Sequence, residues 1–168
     1  MTADPLTPLA LRVGARLKAA GRLLVTAESC TGGWIAEAVT AIAGSSDWFE
    51  RGYVTYSNAA KQESLGVRDD TLTRFGAVSE ETAREMAVGA LTASRASVAI
   101  AVTGVAGPSG GSAEKPVGMV CFAWAVRDRP PRSETCRFAG DRAEVRRQSV
   151  VRSLQGLIEV LDEAQAQD

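Results

Sequence analysis

The stretch Leu23-Leu24-Val25-Thr26-Ala27-Glu28-Ser29-Cys30-Thr31-Gly32-Gly33 decides how the rest of the chain is read. A short apolar run breaks into small polar residues and two glycines just before an amphipathic segment, which predicts a strand, a tight turn and a helix. Such a turn presents the first free N–H groups of the helix, with their partial positive charge, to whatever lies above the strand end. It suits an anion or an oxyanion. Ser29, Cys30 and Thr31 place nucleophiles or hydrogen-bond donors there, and Gly32-Gly33 let a ligand reach the backbone without meeting a Cβ. A plain Ser/Thr helix N-cap fits the same residues.

Working outward, 168 residues are read as a single domain, 1–168, with its core at about 9–161. Nineteen Lys and Arg against twenty Asp and Glu leave a net charge of -1, so no basic field draws in nucleic acid or an anionic membrane. Met1 to Pro8 lack the basic and apolar regions of a signal peptide, and no apolar run approaches the ~20 residues that span a bilayer. A soluble, cytoplasmic protein is expected. Three cysteines, Cys30, Cys121 and Cys136, show no CxxC spacing, which argues against a disulfide framework or a thiolate zinc site. Histidine is absent, which removes every Ser-His or Cys-His pair and every His-based metal site. A hydroxyl or thiol nucleophile must then take its base from Lys, a carboxylate, or a Tyr acting with one of them.

Leu6, Leu9, Val13, Leu17 and Ala20 mark a first amphipathic helix closed by Gly21. After the strand Leu23 to Ala27, Ile35, Ala38, Val39 and Ile42 mark the apolar face of the second. Tyr53 to Tyr56 has the content of a strand, and Ser57 or Asn58 caps a short helix, Ala59 to Leu65. This sets Tyr56 at a strand end and Lys61 on the first turns of the next helix. Asp69-Asp70 open another short helix, Ser79 caps a longer one, and Ser97 to Thr103 is a fully buried strand ending in the glycine-rich stretch Gly104 to Ser112. Val117 to Val126 and Ser133 to Phe138 form an antiparallel pair, followed by a closing helix after Gly140-Asp141. The alternation predicts an α/β fold, a three-layer α/β/α sandwich around a mixed, mostly parallel sheet. The loops after Ala27, Tyr56 and Thr103 would converge beyond the strand ends.

Six segments then stand together: Glu-Ser-Cys-Thr-Gly-Gly (28–33), Tyr-Ser-Asn-Ala-Ala-Lys (56–61), Gly-Ala-Val-Ser-Glu-Glu-Thr-Ala (76–83), Thr-Gly-Val-Ala-Gly-Pro (103–108), Lys-Pro-Val-Gly (115–118) and Gly-Asp-Arg (140–142). In this order they closely resemble the nicotinamide-nucleotide amidohydrolase family, the stand-alone or C-terminal domain of CinA (competence/damage-inducible) proteins, over roughly Leu9 to Leu157. Longer family members add an N-terminal nucleotide pyrophosphatase domain, whose metal-dependent activity is not carried over. The resemblance implies hydrolysis of the carboxamide of nicotinamide mononucleotide (NMN) to nicotinate mononucleotide and ammonia. No cofactor is expected, and the absence of histidine suggests a mechanism without metal, with magnesium on carboxylates alone as the alternative.

That reaction needs a nucleophile, a base that later protonates the leaving nitrogen, and donors for an oxyanion. Ser29 is the nucleophile that the resemblance implies; Cys30 is its rival, since a thiol at such a turn can be activated. Lys61 is the candidate base, with Tyr56 relaying the proton or holding the lysine. For that role Lys61 must be desolvated or near another positive group, because at a pKa of ~10.4 it would be protonated. Glu28 is a structural partner of the turn or a second possible base. N–H groups near Thr31, Gly32 and Gly33 are candidate oxyanion donors. The loop carrying Gly104 and Gly107 would cradle the 5′-phosphate with Arg142, while Ser46, Asn58 and Thr103 are polar ligand contacts at loop edges. Arg142, Arg146 and Arg147 also suit a solvated helix face. The Tyr-Lys spacing differs from that of short-chain dehydrogenases, and no GxGxxG motif supports hydride transfer. A homodimer is the expected assembly, and a non-catalytic nucleotide-binding regulatory module is the alternative function.

Overall fold

Large and small apolar residues alternate along the strands, and this alternation gives the sheet two unlike faces. The structure is a computed structural model that describes residues 4–167. Among the described residues five strands form one sheet: β1 (Leu24–Glu28), β2 (Phe49–Val54), β3 (Val98–Gly104), β4 (Met119–Val126) and β5 (Arg132–Arg137), in the order β2-β1-β3-β4-β5. The helices are α1 (Leu6–Ala20), α2 (Trp34–Thr40), α3 (Asn58–Leu65), α4 (Asp69–Phe75), α5 (Glu80–Thr92) and α6 (Arg142–Ala166). No helix of the described residues is long and apolar enough to cross a membrane.

On one face Leu24, Val98, Ile100, Val102, Phe122 and Trp124 pack against α1, α2 and α6. On the other, Ala27, Ala99, Ala101, Ala123 and Ala125 meet the small residues Ala83, Ala87 and Ala90 of α5. Because successive strand side chains point to opposite faces, one period-2 pattern sorts bulky residues to one layer and alanines to the other. The alanine face draws α5 close, and α5 in turn holds α3 through Gly89, where a Cβ would stand 1.8 Å from the Leu65 carbonyl oxygen.

β1 is paired in parallel with β2 on one side and β3 on the other, while β3–β4 and β4–β5 are antiparallel. Four strands therefore run the same way and β4 alone opposes them, although the pairings divide evenly between the two kinds. From β1 the chain crosses by way of α2 to β2, then returns over the opposite face by way of α3, α4 and α5 to β3. Reversal of winding direction beside β1 opens a crevice at the carboxyl ends of the parallel strands. Ser29, Thr55 and the loop after Gly104 all emerge at that edge. β5 ends there too, which delivers the start of α6 to the same place.

β2 departs from its expected bounds, beginning at Phe49 and ending at Val54, so Tyr56 lies beyond the strand. Its polar run Glu50-Arg51-Gly52 carries no apolar alternation because β2 is an edge strand, recruited by the β1 ladder rather than by burial.

Substituting Gly89→Ala should destabilise the protein by about 1–3 kcal/mol through overpacking, outweighing the gain of about 1 kcal/mol from helix propensity. Thermal unfolding of the variant tests this; a melting temperature equal to or above the parent's would mean that α3 and α5 are not in close contact.

Candidate active site

The alternation that builds the faces also sorts the reactive residues. Along β1, Leu24 and Val25 pack on opposite faces, and the same period turns Glu28 toward α2 and Ser29 toward α3. The Ser29 N–H donates to the Val102 carbonyl at 3.0 Å, which ties the residue to the end of β3. Ser57 caps α3, its Oγ accepting from the Ala60 N–H at 3.0 Å. One turn in, Lys61 sends its side chain back under the strand end. Its Nζ donates to the Thr55 carbonyl at 2.7 Å and lies 2.9 Å from Ser29 Oγ. The lysine is 2 % exposed. Among the described residues no carboxylate pairs with it. Burial, the dominant influence, holds its pKa below the ordinary lysine value, with the Cys30 thiol opposing in a smaller way. A desolvated amine without a counter-ion against a hydroxyl has the chemistry that a general base needs beside a nucleophile.

The turn between Ser29 and α2 is held from inside by Glu28. Its Oε1 accepts from the Thr31 hydroxyl at 2.6 Å and the Ile35 N–H at 2.9 Å, and its Oε2 accepts from the Ala36 N–H at 3.0 Å. The carboxylate is thus occupied in the helix start and does not reach Ser29. Gly32 and Gly33 adopt φ of +60° and +101°, a left-handed path that costs glycine nothing. The Gly32 N–H closes the turn on the Ser29 carbonyl at 3.0 Å. By contrast, the N–H groups of Cys30, Thr31 and Gly33 meet no carbonyl and no other residue's side chain among the described residues. Cys30 is 6 % exposed, and burial pushes its thiol up to about 12, which suppresses thiolate at neutral pH.

Outside the turn stands Arg146 on α6, whose Nε donates to the Cys30 carbonyl and Nη2 to the Thr31 carbonyl, each at 3.1 Å. Its guanidinium lies over the Trp34 ring at 5.6 Å. One helical turn earlier, Arg142 donates to the Gly107 carbonyl at 2.8 Å and to the Tyr56 hydroxyl at 2.9 Å. The hydroxyl of Tyr56, a residue 61 % exposed, is therefore held by Arg142, and no hydrogen bond joins it to Lys61 or Ser29. Beside this bridge lies a groove of about 500 Å³ lined by Ala106, Pro108, Val117, Gly140, Asp141, Arg142 and Ala143. A second groove, of about 570 Å³ along α3 and α5, contains none of these residues.

The structure therefore brings Ser29, Lys61, Thr31, Gly32 and Gly33 into one cluster, with Tyr56, Gly107 and Arg142 at its margin. Asn58 is the exposed first residue of α3. Thr103 is buried, its hydroxyl donating to the Ala77 carbonyl at 2.8 Å. At Gly104 a Cβ would stand 2.8 Å from Val120, so glycine is needed there for packing against β4. Ser46 does not join the cluster: it lies in the 3₁₀ turn Ser45–Asp47 that leads into β2, at the sheet edge opposite Ser29. Its neighbours in sequence are small and polar like those of an active-site loop, and only the strand direction separates the two edges. Sequence reasoning left Arg146 undecided on a solvated face and gave Thr55 no role. The spacing of four from Arg142 placed Arg146 on the same helix face, which was a usable signal.

Comparison with known proteins places this geometry among relatives. The chain is 54% identical over 157 residues to "Nicotinamide-nucleotide amidohydrolase PncC" of Escherichia coli K12, covering 94% of this chain and 95% of that one. It is 53% identical over 157 residues to the protein of the same name from Pseudomonas putida, covering 94% and 98%. The crystal structure of competence/damage inducible protein CihA from Agrobacterium tumefaciens superposes with a TM-score of 0.92 at 48% identity, covering 96% of this chain and 98% of that one. With the model of the CinA C-terminal domain matching residues 6–161, the chain belongs to that family.

Proposed function

We propose that this protein hydrolyses the carboxamide of a nicotinamide nucleotide, NMN, to nicotinate mononucleotide and ammonia, with Ser29 as nucleophile and Lys61 as base. The observation that carries the reading is the 2.9 Å contact between Ser29 Oγ and a buried, unpaired Lys61 amine. The near full-length relatives named for this activity supply the substrate class.

In this mechanism the neutral Lys61 amine takes the Ser29 proton as Oγ attacks the carboxamide carbon. The oxyanion that forms is met by free N–H groups of the Ser29 turn. Lys61, now an ammonium, protonates the leaving nitrogen, the C–N bond breaks, ammonia departs and an ester to Ser29 remains. Water then attacks the ester with Lys61 again accepting the proton, and the carboxylate leaves as Ser29 is restored. Tyr56 serves at the rim rather than in proton transfer, because its hydroxyl is bonded to Arg142. Arg142 has further N–H groups for the substrate phosphate, which would lie in the groove beside Gly107 and Pro108.

Ser29→Ala should lower kcat for ammonia release by roughly 10⁴-fold or more, and Lys61→Met by roughly 10²- to 10⁴-fold, while Cys30→Ala keeps most of the activity. Full activity in Ser29→Ala, or its loss in Cys30→Ala, would transfer the nucleophile to the thiol. The activity should persist in excess chelator.

Lys61 works only when neutral, so kcat should rise with pH through the depressed lysine pKa and level off below the ordinary value of ~10.4. An acid limb centred at the ordinary lysine value would contradict a desolvated base.

Arg142→Ala should raise KM for NMN roughly 10- to 100-fold, the worth of one charge-assisted contact, with little change in kcat. The same variant acting on nicotinamide riboside, which lacks the phosphate, should show no such increase; an equal effect on both removes Arg142 from the phosphate site.

A further inference from the structure

We propose that Arg146 is a positioning residue for the same reaction: by gripping the Cys30 and Thr31 carbonyls from outside, it aims the Thr31 N–H at the oxyanion formed on Ser29. This rests on the amidohydrolase reading above.

The argument begins with the peptide plane. In a trans peptide the C=O and the following N–H are coplanar and point in opposite directions. The Cys30 carbonyl and the Thr31 N–H belong to one such unit. A guanidinium fixed on the Cys30 oxygen therefore fixes the direction of the Thr31 N–H, which points away from Arg146. The same contact polarises the unit and makes that N–H a stronger donor. That N–H is one of the turn's unsatisfied donors.

Arg146 is built for this grip. Two of its N–H groups fork across successive carbonyls at 3.1 Å each. The Trp34 ring supports the guanidinium plane at 5.6 Å. Arg146 lies directly against Gly32, where a Cβ would be in van der Waals contact with Nη2 at 3.4 Å. No carboxylate pairs with Arg146 among the described residues, so its charge is directed at the turn. Glu28 already secures the start of α2 from the other side, so the grip of Arg146 falls on the peptide units next to the nucleophile. A lysine would reach one carbonyl as a point charge but could not span both.

The test compares Arg146→Ala and Arg146→Lys with the parent in ammonia release from NMN, in thermal unfolding, and in phosphonylation of Ser29 by a fluorophosphonate probe. The probe forms a Ser29 Oγ–P bond, expels fluoride and sets its P=O oxygen where the oxyanion would lie, whatever the natural substrate. Both variants should lose roughly 10- to 100-fold in kcat and in phosphonylation rate, with KM within about threefold of the parent. Melting temperature and the acid limb of the pH profile should stay in place, and added guanidinium should restore part of the Arg146→Ala rate. Rates within about threefold of the parent overturn the proposal. So does a loss that tracks a fall in melting temperature, or failure of both variants to fold, because the residue is then structural. An acid limb moved to higher pH with full rate regained in alkali also overturns it, since Arg146 would then act on Lys61. A parent protein that is phosphonylated at Ser29 yet releases no ammonia from NMN sinks the substrate assignment and leaves the Arg146 comparison readable.

Discussion

A lysine amine kept out of water, without a counter-ion and against a serine hydroxyl, is the constraint on which the rest of the architecture bears. Burying an unpaired ammonium is costly, and the protein meets the cost by disfavouring the charged form. The neutral amine still needs a partner for its N–H groups, and the Thr55 carbonyl supplies one at 2.7 Å. Since the unfolded chain holds the Lys61 proton more tightly than the folded one, the folded state is penalised at pH below the depressed pKa. Stability is regained as pH rises from there toward the ordinary lysine value.

Holding α3 where its lysine can reach β1 is the work of the alanine face. A sheet surface of Ala99, Ala101, Ala123 and Ala125 lets α5 approach closely, and Gly89 lets α3 lie on α5 with its backbone almost in contact. Larger side chains at either level would lift α3 outward and draw Nζ away from Ser29. The bulky face buries area against α1, α2 and α6, and it too holds a close approach, since a Cβ at Gly156 of α6 would stand 2.1 Å from the Trp124 ring.

The turn after Ser29 is held from opposite sides by a carboxylate and a guanidinium. Glu28 takes N–H groups and a hydroxyl from inside, while Arg146 takes carbonyls from outside, and the donors left over are those of residues next to Ser29. Further out, the bridge from Tyr56 through Arg142 to Gly107 links the ends of three distant chain segments across the rim of the site. The site thus has two levels, with the buried Lys61 amine below and the arginine-bearing rim above.

Most of the layer order was legible in the chain, because strands such as Val98–Gly104 and helices such as Leu6–Ala20 carry their own period and caps. β2 was half hidden, since an edge strand is selected by pairing and not by apolar alternation. Ser29 and Lys61 could be nominated from residue type, from the absence of histidine and from the motifs around them. Tyr56 was expected to relay the proton or hold the lysine, and Ser46 to contact ligand; a linear pattern shows neither the reach of a side chain nor the edge of the sheet on which a loop emerges. By itself the sequence determined the α/β alternation, the turn and the short roster of groups able to act as nucleophile and base. Only the tertiary structure decided that Lys61 is buried beside Ser29, that the Cys30 thiol is buried, that the Tyr56 hydroxyl is bonded to Arg142 and that Arg146 grips the turn. Desolvation and hydrogen-bond direction arise from segments that meet in space, and the order of residues along the chain does not contain them.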